Sequence, residues 1–448
     1  MTIDKSIFKA YDVRGVYPES VNEEAAYLIG RAFVKFLDAK KVVVGRDMRE
    51  SGKSLYKELA RGMTDQGADL TYIGKVTTPM LNFAVASKGF DGGIIISASH
   101  SPKQYNAFKM IQKPVFQISS DSGMKDIMNL CLENNFVDPE KKGTIVETDI
   151  LDDYKTHILG KINHVKDMKI VVDYGNGIGA VSGIPVLNDL DVEVINMYET
   201  PDGNFPNHEA NPVKFNTLVD IQKRIVDEKA DVGLAFDGDA DRCIILDRDG
   251  NYVTPDKMLG LLAMHELDKK PNQNVFHDLR FSKVIRNKIK EHTGIPSMLK
   301  VGNPFYKHAL VTKGGVVAGE FSGHIMFKEN YCMDDGLFAG LKFIQMMKEE
   351  NKDIPELMKI FDSINQTEEI NLHVDNAKAT LEKVAEKYSD GKSTQIDGVY
   401  IEYDDWWFSL RMSNTEPVVR LMVEANTNEM MGEKRDELLD LIGGERQK

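Results

Sequence analysis

Cysteine is scarce in this chain. Its three cysteines (Cys131, Cys243 and Cys332) cannot pair evenly, and their spacing fits no zinc pattern, so they read as reduced, packed thiols. Positive charge is also in deficit. With 56 Lys and Arg against 70 Asp and Glu, the net charge is −14. Such a chain is poorly suited to nucleic acid or to an anionic membrane surface, although a site needs only local cations to take a phosphorylated substrate. Long apolar runs are missing: no stretch reaches the roughly 18 residues of a membrane span. The opening Met-Thr-Ile-Asp-Lys-Ser-Ile-Phe lacks the uninterrupted apolar centre of a signal peptide. The cytoplasm is the expected compartment. Nothing in the sequence sets an oligomeric state, and a monomer would suffice.

Several familiar signatures fail as well. Gly52-Lys-Ser and Gly391-Lys-Ser look like P-loop endings, but the required earlier glycine is Asp47 in one and Glu386 in the other. No G-x-S-x-G elbow surrounds Ser99 or Ser322. There is no low-complexity tract. No repeat is clear, although three strand–helix blocks of similar size leave room for a diverged one. Trp406 and Trp407 lie outside any basic cluster and read as core or domain contact.

What is present is core material for several domains. At 448 residues the chain exceeds the size at which one hydrophobic core stops growing, and 42% of it is hydrophobic. Short β-branched runs alternate with helical segments: Val42–Gly45, Gly93–Ile96, Ile170–Val172, Val232–Phe236 and Val316–Ala318. Continuous apolar strands of this kind predict α/β units around buried sheets, with ligands collecting at the strand C-termini. Breaks are expected near residue 150, shortly after the Asp247-Arg-Asp-Gly-Asn turn, and in the polar stretch Ser363–Glu369. These give segments 1–150, 151–252, 253–365 and 366–448, the last with an α+β pattern.

Chemistry gathers at the strand ends. Asp237-Gly-Asp-Ala-Asp-Arg242 places three carboxylates at alternate positions after an apolar strand. Asp237, Asp239 and Asp241 can converge on one divalent cation while Arg242 balances charge. A calcium EF-hand would need Gly and Glu where Arg242 and Arg248 stand, so an oxygen-only site of this kind favours Mg2+. Ser97-Ala-Ser-His-Ser-Pro102 follows the run Gly-Gly-Ile-Ile-Ile, with Asn106-Ala-Phe-Lys109 just downstream. Read alone it is also a good helix N-cap. Beside a cation and a neighbouring acid or base, it can carry a phosphoryl group. Gly319-Glu-Phe-Ser-Gly-His324 offers a carboxylate, a hydroxyl and an imidazole suited to sugar hydroxyls. Arg411-Met-Ser-Asn-Thr-Glu-Pro417, followed by Arg420, has the composition of a phosphate cradle. A competing pattern is Gly175-Asn-Gly-Ile-Gly-Ala180, which fits a permissive dinucleotide fingerprint with Glu199 as a ribose ligand.

Taken in order, these segments resemble the α-D-phosphohexomutase family, in its phosphomannomutase/phosphoglucomutase branch. Phe8–Gly15 resembles the opening motif, Ser97–Pro102 the phosphoserine loop, and Asp237–Arg242 the metal loop. Gly319–His324 resembles the sugar loop and Arg411–Arg420 the phosphate loop. The resemblance implies three α/β domains with mixed sheets and a smaller C-terminal domain, heart-shaped around a central cleft. It also implies interconversion of hexose 6-phosphate and hexose 1-phosphate, for mannose and glucose, through a hexose 1,6-bisphosphate that turns end over end. Ser99 would be phosphorylated and would join Asp237, Asp239 and Asp241 around Mg2+. Arg14, His100, Lys109 and Arg242 would surround the transferring group. Glu320, Ser322 and His324 would meet the sugar. Arg411, Ser413, Asn414, Thr415 and Arg420 would hold the other phosphate, with Arg280 as an extra cation. Ser97, Ser101 and Ala107 depart from the family pattern conservatively. Asn303 stands where many relatives carry His. A phosphoglucosamine mutase-like activity, a nucleotide-dependent oxidoreductase and a non-catalytic sugar-phosphate binder are the alternatives.

Overall fold

The computed structural model describes residues 3–412 and 418–446. Four sheets follow one another along the chain. The first contains β1 (Val13–Val16), β2 (Lys41–Arg46), β3 (Asp69–Lys75), β4 (Gly92–Ile96), β5 (Tyr105–Gln112), β6 (Phe116–Gln117) and β7 (Ile145–Glu147). Its helices are α1 (Glu23–Leu37), α2 (Gly52–Asp65), α3 (Thr78–Ser87) and α4 (Met124–Glu133). The second contains β8 (Lys166–Asp173), β9 (Asp191–Met197), β10 (Val232–Phe236), β11 (Cys243–Leu246) and β12 (Tyr252–Val253). With it go α5 (Leu151–Leu159), α6 (Ala180–Leu187) and α7 (Val219–Glu228).

The third sheet contains β13 (Asn274–Asp278), β14 (Ile295–Leu299), β15 (Val317–Gly319) and β16 (Ile325–Phe327). Its helices are α8 (Pro255–Lys269), α9 (Lys283–Glu291), α10 (Asn303–Lys313), α11 (Gly336–Glu350) and α12 (Ile354–Met358). The fourth contains β17 (Asn365–Gln366), β18 (Ile370–His373), β19 (Lys392–Thr394), β20 (Val399–Glu402), β21 (Trp406–Met412), β22 (Val418–Ala425) and β23 (Glu445–Arg446), with α13 (Ala377–Lys387) and α14 (Asn428–Ile442).

The first three sheets share one plan. Their central orders are β3-β2-β4-β5, β9-β8-β10-β11 and β14-β13-β15-β16. In each, the first three of these strands in chain order run parallel and the fourth returns antiparallel. The diverged repeat is therefore present in topology. The fourth sheet is antiparallel throughout, so the chain has three mixed α/β layers and one α+β unit, as the sequence predicts.

Local sequence explains the central strands. β4 (Gly-Gly-Ile-Ile-Ile) and β10 (Val-Gly-Leu-Ala-Phe) are buried at every position, because helices cover both faces of a parallel sheet. α2 turns Leu55, Leu59, Gly62 and Met63 inward, the helical spacing of an apolar stripe. One continuous apolar cluster runs through the first three units, including Val43, Ile95, Val172, Leu234, Leu259, Val317 and Phe338. The fourth unit has its own cluster around Phe408 and Leu421, which includes Trp406. Trp407 instead packs with Leu279, Tyr400 and Met422 between the third and fourth units. All three cysteines are buried and free. Among the described residues no helix is long and apolar enough to cross a membrane.

Candidate active site

The shared plan decides where the chemistry sits. The turn from the third parallel strand into the antiparallel return carries Ser97–Pro102 in the first unit, Asp237–Arg242 in the second and Glu320–His324 in the third. Each loop therefore leaves the C-terminal end of a buried strand, where backbone groups are unpaired and side chains can converge.

The serine and acidic loops meet in direct contact. Ser99 has φ +50° and is buried. Its Oγ donates to Asp237 Oδ2 at 2.6 Å and lies 3.1 Å from His100 Nδ1. Gly238 is what permits this approach, since a Cβ there would stand 2.4 Å from the Ser99 carbonyl oxygen. Asp237, Asp239 and Asp241 are all buried, and their ligand atoms lie within 4.8 Å of one another.

Two cations oppose these three anions. Lys109 Nζ donates to Asp239 Oδ2 at 2.5 Å and to Asp241 Oδ2 at 2.7 Å. Arg242 Nη2 reaches Asp237 Oδ2 at 2.7 Å, His100 Nδ1 at 2.5 Å and Ser99 Oγ at 3.3 Å. Burial, reinforced by Asp241 and Asp239, pushes Asp237 up to about 6 despite Arg242. Burial also works to raise Asp239, but the Lys109 ammonium overrides it and holds that carboxylate well below its usual range. Burial and the Arg242 and Arg14 guanidiniums drive His100 far down, leaving it neutral. Arg14 closes the group from β1, donating to Ser101 Oγ at 2.5 Å and pairing with Asp12.

Asp239 Oδ1 and Asp241 Oδ1 are buried and lack hydrogen-bond partners. Two orphaned carboxylate oxygens beside a third carboxylate make a hard, all-oxygen donor set that fits a divalent cation.

The third loop joins through His324. Its Nδ1 lies 3.6 Å from Asp241 Oδ1 and 3.2 Å from Asp334 Oδ2. Burial lowers the imidazole, but these two carboxylates outweigh it and raise it above its ordinary value. Asn303 is tied into the same group, its amide donating to Asp334 and lying 3.2 Å from His324 Nδ1. Ser322 Oγ donates to Glu320 Oε2 at 2.9 Å, and Glu320 is buried. Arg280 forks onto Asp278 and stacks over Phe321 at 5.1 Å. Asp278 also accepts from the Phe321 amide at 3.2 Å, so Arg280 and the third loop share one anchor.

Arg411 and Arg420 face each other across β21 and β22. Arg411 Nη2 donates to Glu369 Oε1 at 2.6 Å, and Arg280 Nη1 approaches the same oxygen at 3.4 Å. Ser413, Asn414 and Thr415 lie outside the described residues.

Several residues join the site that sequence reasoning did not single out. Arg49 is fully buried and donates to the carbonyls of Ser99 (2.9 Å), Ser101 (2.6 Å), Pro102 (2.9 Å) and Tyr105 (3.0 Å). Thr78 donates to Asp239 Oδ2 at 2.5 Å. Lys307 pairs with Asp334 at 2.6 Å, both buried. The one sequence signal for Arg49 is its place two residues after Asp47 at the end of β2, the same kind of strand end as the other loops.

The dinucleotide pattern is filled by the protein itself. Ile178 N donates to Gly238 O at 2.9 Å, and a Cβ on Gly177 would stand 2.9 Å from that oxygen. The glycines accommodate the acidic loop, not a pyrophosphate.

Comparison with known proteins agrees domain by domain. Residues 5–138, 152–250 and 254–364 match the family models described as phosphoglucomutase/phosphomannomutase, alpha/beta/alpha domains I, II and III. Residues 369–441 match the C-terminal domain of the same description. The chain belongs to the phosphoglucomutase/phosphomannomutase family. It is 36% identical to a phosphoglucomutase of Neisseria gonorrhoeae, over 95% of this chain and 94% of that one. It is 35% identical to a phosphomannomutase of Methanocaldococcus jannaschii, over 98% of both. A crystal structure of a phosphoglucomutase/phosphomannomutase family protein from Burkholderia thailandensis superposes with a TM-score of 0.92 at 32% identity. That match covers 99% of this chain and 100% of the other.

Arg49 yields a test of how the serine loop is held. Arg49→Lys keeps the charge but loses the planar fork that reaches four carbonyls. Amide exchange across 97–102 should accelerate about tenfold or more, reflecting lost charge-assisted hydrogen bonds. Exchange at the wild-type rate would mean that the loop holds its shape without the clamp.

Proposed function

We propose that this chain is a magnesium-dependent phosphohexomutase that moves a phosphoryl group between O6 and O1 of mannose and glucose phosphates through phosphorylated Ser99. The observation that carries the reading is Ser99 Oγ, held 2.6 Å from Asp237 within a cluster of three buried carboxylates, Lys109 and Arg242. A hydroxyl beside an all-oxygen donor set and two cations, Lys109 and Arg242, is well placed to carry a phosphoryl group whose charge those cations balance. The oxidoreductase alternative is not favoured, because the glycine turn it requires is already occupied.

In this reading Asp237, Asp239 and Asp241 hold Mg2+ beside Ser99. Once bound, the ion supplies Lewis-acid stabilisation of charge on the transferring phosphoryl oxygens. Arg14, Lys109 and Arg242 neutralise the same oxygens from three further directions, and His100 packs the Ser99–Arg242 contact. Ser99 gives its phosphoryl group to a hexose hydroxyl, forming the 1,6-bisphosphate. The intermediate turns, and its other phosphoryl group returns to Ser99 Oγ. Arg411, Arg420 and the Ser413–Thr415 loop grip the phosphate that is not reacting, assisted by Arg280. Glu320 and Ser322 meet the sugar hydroxyls, and His324, oriented by Asp334 and Asn303, lies between sugar and metal loops.

An intact mass one phosphate heavier, localised to Ser99, separates this mutase from a sugar-phosphate binder. Ser99→Ala should fold normally and lose at least about a hundredfold in turnover, the scale of losing a covalent carrier. Near-wild-type turnover would end the phosphoserine assignment. Activity should also vanish in excess chelator and return with added Mg2+; full activity in chelator would remove the metal from the reaction.

Sugar choice follows from the Glu320–Ser322 pair. If these residues hold O3 and O4, mannose and glucose present the same groups, since they differ only at C2. Their 1-phosphates should both be turned over, within about two orders of magnitude of each other. Galactose differs at C4 and leaves a buried carboxylate lone pair unmatched, which discriminates more strongly than size does. N-acetylglucosamine 1-phosphate should be poor, because Asn303 is committed to Asp334 and His324. A side-by-side assay that ranked galactose above glucose phosphate would show that this pair does not read O3 and O4.

A further inference from the structure

Glu369 occupies an unexpected position for a carboxylate. It lies just before β18, where the chain enters the fourth unit. Its Oε1 accepts from Arg411 at 2.6 Å and lies 3.4 Å from Arg280, and its Oε2 lies 3.8 Å from Arg420. These are the three guanidiniums that the proposed function assigns to the non-reacting phosphate. A fixed anion in that fork opposes any second anion brought to it. Burial favours the neutral acid, but Arg280 and Arg411 outweigh it and keep Glu369 ionised.

The other carboxylate in this group plays a different part. Asp278 is fully buried, binds Arg280 through a fork and anchors the Phe321 amide. Glu369 makes no such structural contact in the third loop. It borders a cavity of about 410 Å³ that Tyr252, Arg280, Phe321 and Gln366 also line. The side chain thus has a space to enter if its arginine partners are taken by something else.

We propose that Glu369 is a displaceable internal anion: it sits in the arginine fork between substrates and competes with the substrate's distal phosphate, keeping that grip reversible. The inference rests on the phosphohexomutase reading and deepens it. A bisphosphate that must let go, turn and bind again by its opposite end cannot be held too tightly at either end. When the phosphate leaves, Glu369 repartners Arg411, while Arg280 keeps its fork on Asp278. When the phosphate arrives, part of its binding free energy goes to breaking the Glu369 contacts. Both exchanges are between anions on the same three cations, so no proton or covalent bond need change.

The experiment uses the full chain. In a Ser99→Ala background, where turnover does not obscure binding, calorimetry with glucose 1-phosphate compares Glu369, Glu369→Gln and Arg411→Ala. Glu369→Gln should bind about tenfold tighter, the scale expected when a competing charge leaves a partly buried site. With Ser99 present, the same substitution should lower both KM and kcat, because release and turning become slower. A merely structural loss would raise KM instead. Glu369→Asp, which retracts the carboxylate by one methylene, should change binding in the same direction by a smaller factor, so the idea remains testable if Gln impairs folding. Unchanged or weaker binding in the Glu369 variants, while Arg411→Ala weakens it, overturns the internal anion and leaves the mutase reading intact. Wild-type affinity in Arg411→Ala would overturn both the internal anion and the placing of the distal phosphate in this fork.

Discussion

Three ionised or half-ionised carboxylates buried within one small volume set the terms for the rest of this molecule. Moving a carboxylate out of water is expensive, by several kcal/mol per ion even after relaxation, and three together repel one another. Asp237, Asp239 and Asp241 persist because cations from their own loop and from two other units are brought to them. Lys109 comes from β5, Arg242 from the end of the loop, and His324 approaches Asp241 from the third unit. Lys109 sits on an antiparallel return, and Arg242 and His324 each immediately precede one. That requirement ties the first three units together, and the continuous apolar cluster through them is its packing counterpart. Even the N-terminus of α11 takes part, since Gly336 N donates to the Ala240 carbonyl at 3.1 Å.

The repeated plan explains how one chain could divide the work. In each of the first three units a buried strand ends, a short loop follows, and an antiparallel strand returns. The backbone supplies the same platform three times. In the proposed reading one loop carries the phosphorylated hydroxyl, one the oxygen ligands of the metal, and one a carboxylate–hydroxyl pair for the sugar. Burial and the turn are all the shared plan requires of each loop, and many residue sets satisfy those.

That contrast marks what could be read from the residues alone. Continuous apolar strands such as Val232–Phe236 were legible because a buried parallel strand admits little else. The acidic triad was legible because alternating carboxylates after such a strand have few structural excuses. Arg49, Lys307, Asp334 and Glu369 were not, and the reason is physical. Each is a charged residue that looks like surface until its partner is known, and the partners are remote: Arg49 meets carbonyls about 50 residues away, and Asp334 meets Asn82 across 252. Local patterns report periodicity and burial, whereas long-range charge pairing exists only after the chain has closed. The threefold plan was hidden for the same reason, since it lies in pairing order and not in composition.

The two ends of the site also differ in how they are built, and the difference suits their tasks. The serine–metal end is enclosed by three units that share one core, with Arg49 fixing the serine loop through four carbonyls. Such a site loses little freedom when a transition state forms, which is what electrostatic catalysis requires. The arginine end belongs largely to the fourth unit, which has a separate core. It meets the third through an apolar patch around Leu279 and Trp407 and through a polar seam, in which Lys283 Nζ donates to the carbonyls of Tyr403 and Asp404, Arg286 pairs with Glu402 at 2.9 Å and Gln366 donates to the Arg280 carbonyl at 2.7 Å. A unit with its own core, joined to its neighbour largely by ion pairs and hydrogen bonds, is packed independently of the core shared by the other three. In the proposed reaction the covalent step needs rigidity and the phosphate grip needs to open and close. The division between a shared core and a fourth unit with a core of its own is consistent with both demands.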